Sequence, residues 1–314
     1  MKIGAPKIKL LTSIILLVVN SIFISSFLHQ TDRKNYELIF SHTPTIGNVS
    51  SYSDLMVAQG IIGASYDAGF IFLLSLLKTF FEFDIVYLIF VSVFALLVLH
   101  IGYSYNKKYI LFISLLYIST QSWIDANILR QALAQLLVLA FIANYRPLLG
   151  IVPGLFHKAF FIYTPFIVFK SWKILSIFFG IFFLYLALTY SAVFPDVLGM
   201  RKYESESILV LGSVFWIKVI ILIFLIWTFK LNDSFAVVYI FSIGLMLFAN
   251  LMDVNFLRLG NFCSLIECFI IPRIVSKLRD SWLRIFMSLI VLLYIFTKAY
   301  SSIVHLYGRG MISF

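Results

Sequence analysis

Charge is scarce in this chain. Only 12% of its 314 residues are Asp, Glu, Lys or Arg, against 62% hydrophobic. A soluble surface cannot be built from so little polar sequence, which excludes a water-soluble globular domain. Cysteine is nearly absent. Cys263 and Cys268 stand five apart in one predicted helix, on different faces, so neither a disulfide nor a cysteine metal site is expected. Several chemical signatures are also missing. Without a Gly-x-x-x-x-Gly-Lys-Ser/Thr loop, ATP is not the expected energy source. Without a His-Glu-x-x-His run or another compact ligand set, no metal is expected, and no cofactor either. There is no Gly-x-Ser-x-Gly nucleophile elbow. No low-complexity tail, soluble segment or repeat divides the chain, which reads as one transmembrane domain over 1–314.

What is present is oil. Mean hydropathy is +1.02, with 34 Phe and 17 Tyr. Several charge-poor stretches reach the roughly 20 residues a helix needs to cross a hydrocarbon core of about 30 Å. The short alternating segments of a β-barrel are not seen. The expected class is an all-α polytopic integral membrane protein of 9–11 transmembrane helices: nine clear spans and two irregular segments. The net charge of +10 fits Lys and Arg in cytoplasmic loops better than a nucleic-acid surface, so the bilayer is an expected partner and nucleic acid is not.

A topology follows. Lys2, Lys7 and Lys9 precede an uncharged run from Leu10 to Leu28, read as an uncleaved first span with a cytoplasmic N-terminus. Residues 29–66 form a polar extracytoplasmic loop. Residues 67–81 are too short for a crossing and are read as interfacial or re-entrant, which leaves Lys107 and Lys108 cytoplasmic. Residues 148–169 must leave and return within 22 positions, because Lys170 again reads as cytoplasmic. They predict a broken hairpin with its break between Pro153-Gly154 and His157. The loop 195–207 falls outside. The fourteen acidic residues played no part in this construction, and all except Asp233, Glu267 and Asp280 fall on the extracytoplasmic side. Trp123, Trp172, Trp227 and Trp282 fall near predicted interfaces.

Against this background a few polar residues need a reason, because ionisable groups in spans are costly. Asn127, Gln131 and Gln135, four apart, predict one stripe on a helix, flanked by Arg130. His157 and Lys158 follow the Pro-Gly break. Arg258 follows Asp253 at the mouth of another span, with Asn261 nearly one turn on. A bland reading stands beside each. Glutamines can glue helices, Arg258 can snorkel, and Asp67 can be a helix N-cap. Arg201 and Lys202 can be a solvated loop face or a contact for a large ligand. Glu267 sits inside a span and calls for a cation that the sequence does not identify. Arginines and a lysine converging at one membrane face suggest an anionic ligand such as a phosphate. A histidine nearby can take a proton near neutral pH.

The ordered pieces resemble the EpsG family of polysaccharide polymerases, often called Wzy-type O-antigen or exopolysaccharide polymerases. The pieces are Tyr66-Asp67-Ala68-Gly69-Phe70, Asn127-Ile128-Leu129-Arg130-Gln131-Ala132-Leu133-Ala134, Phe156-His157-Lys158-Ala159 and Phe256-Leu257-Arg258-Leu259 with Ile271-Pro272. Together they span roughly 67–275. Lys158 departs from the small or polar residue more usual there.

The resemblance implies a GT-C-like membrane glycosyltransferase in the bacterial inner (cytoplasmic) membrane, with its active site facing the periplasm. Its substrate would be an undecaprenyl-pyrophosphate-linked oligosaccharide, polymerised by metal-independent, inverting transfer. A chain-length regulator would be a membrane partner. In the roles so implied, Arg130 and Arg258 hold the pyrophosphate. His157 is the base or a second pyrophosphate contact, and Asp67 is the alternative base. Gln131, Asn127, Lys158, Asp253, Asn261, Arg201 and Lys202 contact substrate. A flippase for the same lipid-linked sugars would show a repeated half, which is not seen. An O-antigen ligase would share the arginine logic, and an acyltransferase would leave the Arg-Gln helix unexplained.

Overall fold

A computed structural model of the chain describes residues 5–27, 31–49, 67–169, 217–224, 233–251, 257–278 and 281–308. These are helical almost throughout, with no strand among them. The protein is an all-α polytopic membrane protein. Three described runs are long and apolar enough to cross a bilayer: Lys7–Ser26, Phe83–Thr120 and Ser281–Lys298. The first and last bury only 22% and 17% of their apolar window, which leaves most of their surface to lipid.

Helix α1 (Ala5–Phe27) is followed by a shorter, amphipathic α2 (Thr31–His42), which buries Tyr36, Ile39 and Phe40. Arg33 ties the two to the next long helix. Its guanidinium donates to the Ser25 carbonyl near the end of α1 at 2.7 Å and to Asp84 at 2.6 Å, and it lies 4.7 Å over the Tyr87 ring. It thereby satisfies a helix-terminal carbonyl that otherwise lacks a donor.

Helix α3 (Ala68–Lys78) has eleven residues, about 16 Å of helix, and falls short of a full crossing. It lies alongside α4 (Phe83–Asn106), with Phe70 against Phe90 and Lys78 over the Phe40 ring, itself beside Phe83. Since Phe90 is seven residues beyond Phe83, the first turn of α3 is recessed about 10 Å from the start of α4. Lys78 donates to the Ser41 and Thr43 carbonyls and clamps α3 to α2.

The chain turns back through a 3₁₀ segment, Lys107–Tyr109, into α5 (Ile110–Thr120). It then runs through the short α6 (Ser122–Asn127) and α7 (Leu129–Asn144). A helical break at Ile128 (φ −123°, ψ 49°) separates α6 from α7. Tyr145 ends α7 in the left-handed region, φ 46°, with its N–H bonded to the Ile142 and Phe141 carbonyls.

Next come a 3₁₀ turn (Pro147–Leu149), α8 (Val152–Phe156), a second 3₁₀ segment (Lys158–Tyr163) and α9 (Thr164–Val168). The Thr164 hydroxyl donates to the Gly150 carbonyl at 2.9 Å, so the two limbs return to one level. His157, in extended conformation (φ −154°, ψ 109°), lies between them. Two glycines make this arrangement compact. A Cβ on Gly154 would fall 2.3 Å from the Phe161 ring, and one on Gly69 would fall 2.8 Å from the Leu155 carbonyl oxygen. The start of α3 therefore presses backbone to backbone on α8.

The remaining described helices are 217–224, α10 (Ser234–Leu251), α11 (Leu257–Lys277) and α12 (Ser281–Gly308). Asp233 caps α10 by accepting from the Phe235 and Ala236 N–H groups. It also binds the Tyr105 hydroxyl and Arg273, joining α4, α10 and α11 at the end opposite Asp67. The core of the bundle is α4 against α7, with α1 and α5 on one side and α10 and α11 on another.

Candidate functional site

Asp67 stands at the N-cap position of α3 with extended backbone, φ −79° and ψ 138°, yet its side chain makes no capping bond. The carboxylate reaches elsewhere. One oxygen accepts from Arg130 Nη1 at 3.2 Å, and the other accepts from the Lys158 backbone N–H at 3.1 Å. Three chain-distant elements meet on this carboxylate: the start of α3, the first turn of α7 and the apex between α8 and the second 3₁₀ segment. The pair is largely buried, with side chains 11% and 16% exposed, so its attraction is weakly screened.

His157 is 7% exposed. Its Nδ1 accepts from the Ala159 N–H at 3.4 Å, and its ring lies edge-on to Phe160 at 5.6 Å. With Nδ1 accepting, the neutral ring carries its proton on Nε2 and presents a donor there. Phe160 packs on Phe262 of α11 at 5.4 Å, which draws the start of α11 to the same apex. Arg258 lies about one turn before Phe262 on α11; its side chain is outside the described residues. Asn261 is half-buried beside Phe262. Asp253, Arg201 and Lys202 fall wholly outside the described residues. Lys158 is solvent-exposed and enters through its backbone N–H.

Two expectations change. Asn127, Gln131 and Gln135 do not form one stripe, because the helix breaks at Ile128 and leaves Asn127 on α6. The Asn127 amide oxygen accepts from the Asp32 N–H at 3.4 Å, holding the start of α2. Gln131 and Gln135 remain on one face of α7, both buried. Asp125, read as a residue of an outer connection, does lie on the α6 connection but is fully buried. Gln121 Nε2 donates to it at 2.8 Å, and burial pushes its carboxyl up to about 7.

A second polar cluster lies in the bundle interior. Glu267 of α11 accepts from Lys218 Nζ at 2.7 Å and from the Tyr239 hydroxyl at 2.8 Å, and its other oxygen accepts from Tyr294. Lys218 also donates to Ser264 at 3.0 Å. The cation that Glu267 called for is thus Lys218. Each is a charge in an apolar run, which signals the need for a partner. No local pattern tells which charge, 49 residues away, supplies it. Cys263 and Cys268 are buried, free thiols. Among the described residues no three His, Cys, Asp or Glu side chains gather as a metal-ligand set.

The site therefore holds a recessed guanidinium, a carboxylate fixed on it and an imidazole at a chain reversal. Such a set can grip an anion and accept or donate a proton beside it. Comparison with curated proteins gives no match, and comparison with solved structures gives none either. The EpsG family model matches residues 11–312, nearly the whole chain, and the chain belongs to the EpsG family.

Proposed function

We propose that the protein polymerises polyprenyl-pyrophosphate-linked oligosaccharide repeat units into an exopolysaccharide or O-antigen chain. The family carries the coarse statement, a membrane protein of polysaccharide-polymerase type. The observation that carries the rest is the recessed Asp67–Arg130 pair beside the His157 apex.

In this reading the site faces the periplasm of a bacterial inner membrane, where nucleotide sugars are absent. The donor's own pyrophosphate then supplies the driving force. An acceptor hydroxyl oxygen bonds to the anomeric carbon of the growing chain. The bond from that carbon to the phosphate oxygen breaks, and its electron pair leaves with the lipid pyrophosphate. Charge grows on that leaving group, where Arg130 and the Nε2 donor of His157 stabilise it, joined by Arg258 at the head of α11. A pyrophosphate carries more charge than a carboxylate and draws Arg130 away from Asp67. Asp67, relieved of that cation, takes the hydroxyl proton. Gln131 orients a sugar or phosphate oxygen. The undecaprenyl carrier, the inverting outcome and the GT-C-like arrangement belong to the same reading.

Replacing Arg130 with Ala in cells should leave the protein inserted but reduce the product to single repeats on the lipid or lipopolysaccharide. Gel ladders show this directly. Normal long-chain ladders would contradict the assignment. Complete loss of surface sugar, with not even single repeats, would favour a flippase instead.

A further inference from the structure

Every buried side-chain polar atom without a hydrogen-bond partner, among the described residues, falls within 121–135, the stretch that brackets Arg130. They include Gln121 Oε1, Asp125 Oδ2 and both amide atoms of Gln135. Gln135 stands out because it is wholly buried and neither end of its carboxamide is engaged. Such groups are rare in native proteins, and each calls for an explanation.

The helix-glue explanation fails on geometry: glue requires a bond to a neighbouring helix, and Gln135 makes none. Elsewhere the chain satisfies its buried polar groups well. Glu267 and Lys218 are engaged by each other, by Tyr239, by Tyr294 and by Ser264. Packing alone would be better served at position 135 by Leu or Met, which fill a similar volume without the desolvation cost.

Position relates the residue to the site. Gln135 is one turn beyond Gln131 on α7, and Gln131 adjoins Arg130. The same helix packs on α8, on the 3₁₀ segment Lys158–Tyr163 and on α9, the elements that carry His157. A carboxamide holds a donor and an acceptor side by side in one plane. Neighbouring hydroxyls on a sugar ring offer the complementary acceptor and donor at the same spacing.

We propose that Gln135 is a carbohydrate contact: its amide binds hydroxyls of the saccharide whose pyrophosphate or acceptor oxygen is handled at Arg130. The proposal rests on the polymerase reading and adds a positioning and specificity role for a residue beyond the charged set.

The test uses full-length protein and the lipid-linked repeat unit isolated from cells that lack it. Wild type, Gln135→Leu, Gln135→Met and Arg130→Ala are compared by thermal unfolding in detergent and by polymer formation across substrate concentrations. The expected result is that Q135L and Q135M unfold at the wild-type temperature or above it. Their kcat/KM should fall at least about tenfold, chiefly through KM. If they polymerise at the wild-type rate while R130A is inactive, the carbohydrate role of Gln135 is overturned and the polymerase reading stands. If they lose stability together with activity, Gln135 is structural and the proposal is likewise overturned. If R130A polymerises normally, the polymerase site itself is wrongly placed.

Discussion

The protein has two charged clusters inside one oily bundle, and they are built in opposite ways. Around Glu267 the polar groups close on themselves. Lys218 and Glu267 are 3% and 1% exposed, and three hydroxyl-bearing side chains complete their bonds. Around Arg130 the pair is more accessible, is anchored through a backbone N–H, and lies on the same stretch as the unpartnered Gln135 carboxamide and the unengaged Asp125 Oδ2 and Gln121 Oε1. A self-contained network has nothing left to offer a ligand and serves to fix 217–224, α10, α11 and α12 in place. An incomplete one costs stability and is kept where a ligand completes it.

The largest effect expected from breaking this contrast is on the closed cluster. Lys218→Met or Glu267→Leu alone should destabilise the protein by about 3 kcal/mol or more, since each strands a buried charge. The double variant should recover most of that loss, because apolar residues replace the pair together. Thermal unfolding in detergent reads both, and a double variant as unstable as the sum of the singles would mean the cluster does more than pack.

Next in size is the histidine. With its Nδ1 occupied by the Ala159 N–H, His157 serves as a donor in the proposed mechanism. His157→Ala should cost roughly 10²-fold in polymerisation rate. His157→Gln, which keeps a donor but cannot serve as a base, should retain clearly more. Equal loss in both would return the base role to His157.

The smallest effect is a slope. The fully buried Asp125 has its carboxyl raised from 3.8 to about 7, so the fold favours the protonated form. Stability from this group is therefore full below about pH 4, declines as pH rises towards 7 and levels off above it. Asp125→Asn should flatten that part of the stability–pH curve. An unchanged curve would show that Asp125 is not buried in its acid form.

How far the sequence reaches can be judged from these residues. The helical membrane class was legible because hydropathy dominates everything else in the chain. Arg130, His157 and Asp67 were legible as costly or oddly placed groups. Their meeting was not, since Asp67 and Arg130 are 63 residues apart and no local rule pairs them. The break at Ile128 carries neither Gly nor Pro, so an unbroken stripe through Asn127 was the natural reading of a pattern that tertiary packing overrode. Asp125 looked like loop polarity because composition reports what a residue is, not what covers it. Lys218 and Gln135 needed the bundle itself, the first to find its partner and the second to show that it has none.

The central claim is that the Arg130 guanidinium, held by Asp67 when no substrate is present, grips the pyrophosphate of the lipid-linked glycan. The most direct measurement is equilibrium binding of that lipid-linked repeat unit to wild type and to Arg130→Ala in detergent. The expected result is a loss of affinity of at least about tenfold in R130A, in line with about 1.5–3 kcal/mol for a charged hydrogen bond, with the unfolding temperature little changed. Equal binding by the two proteins would contradict the claim.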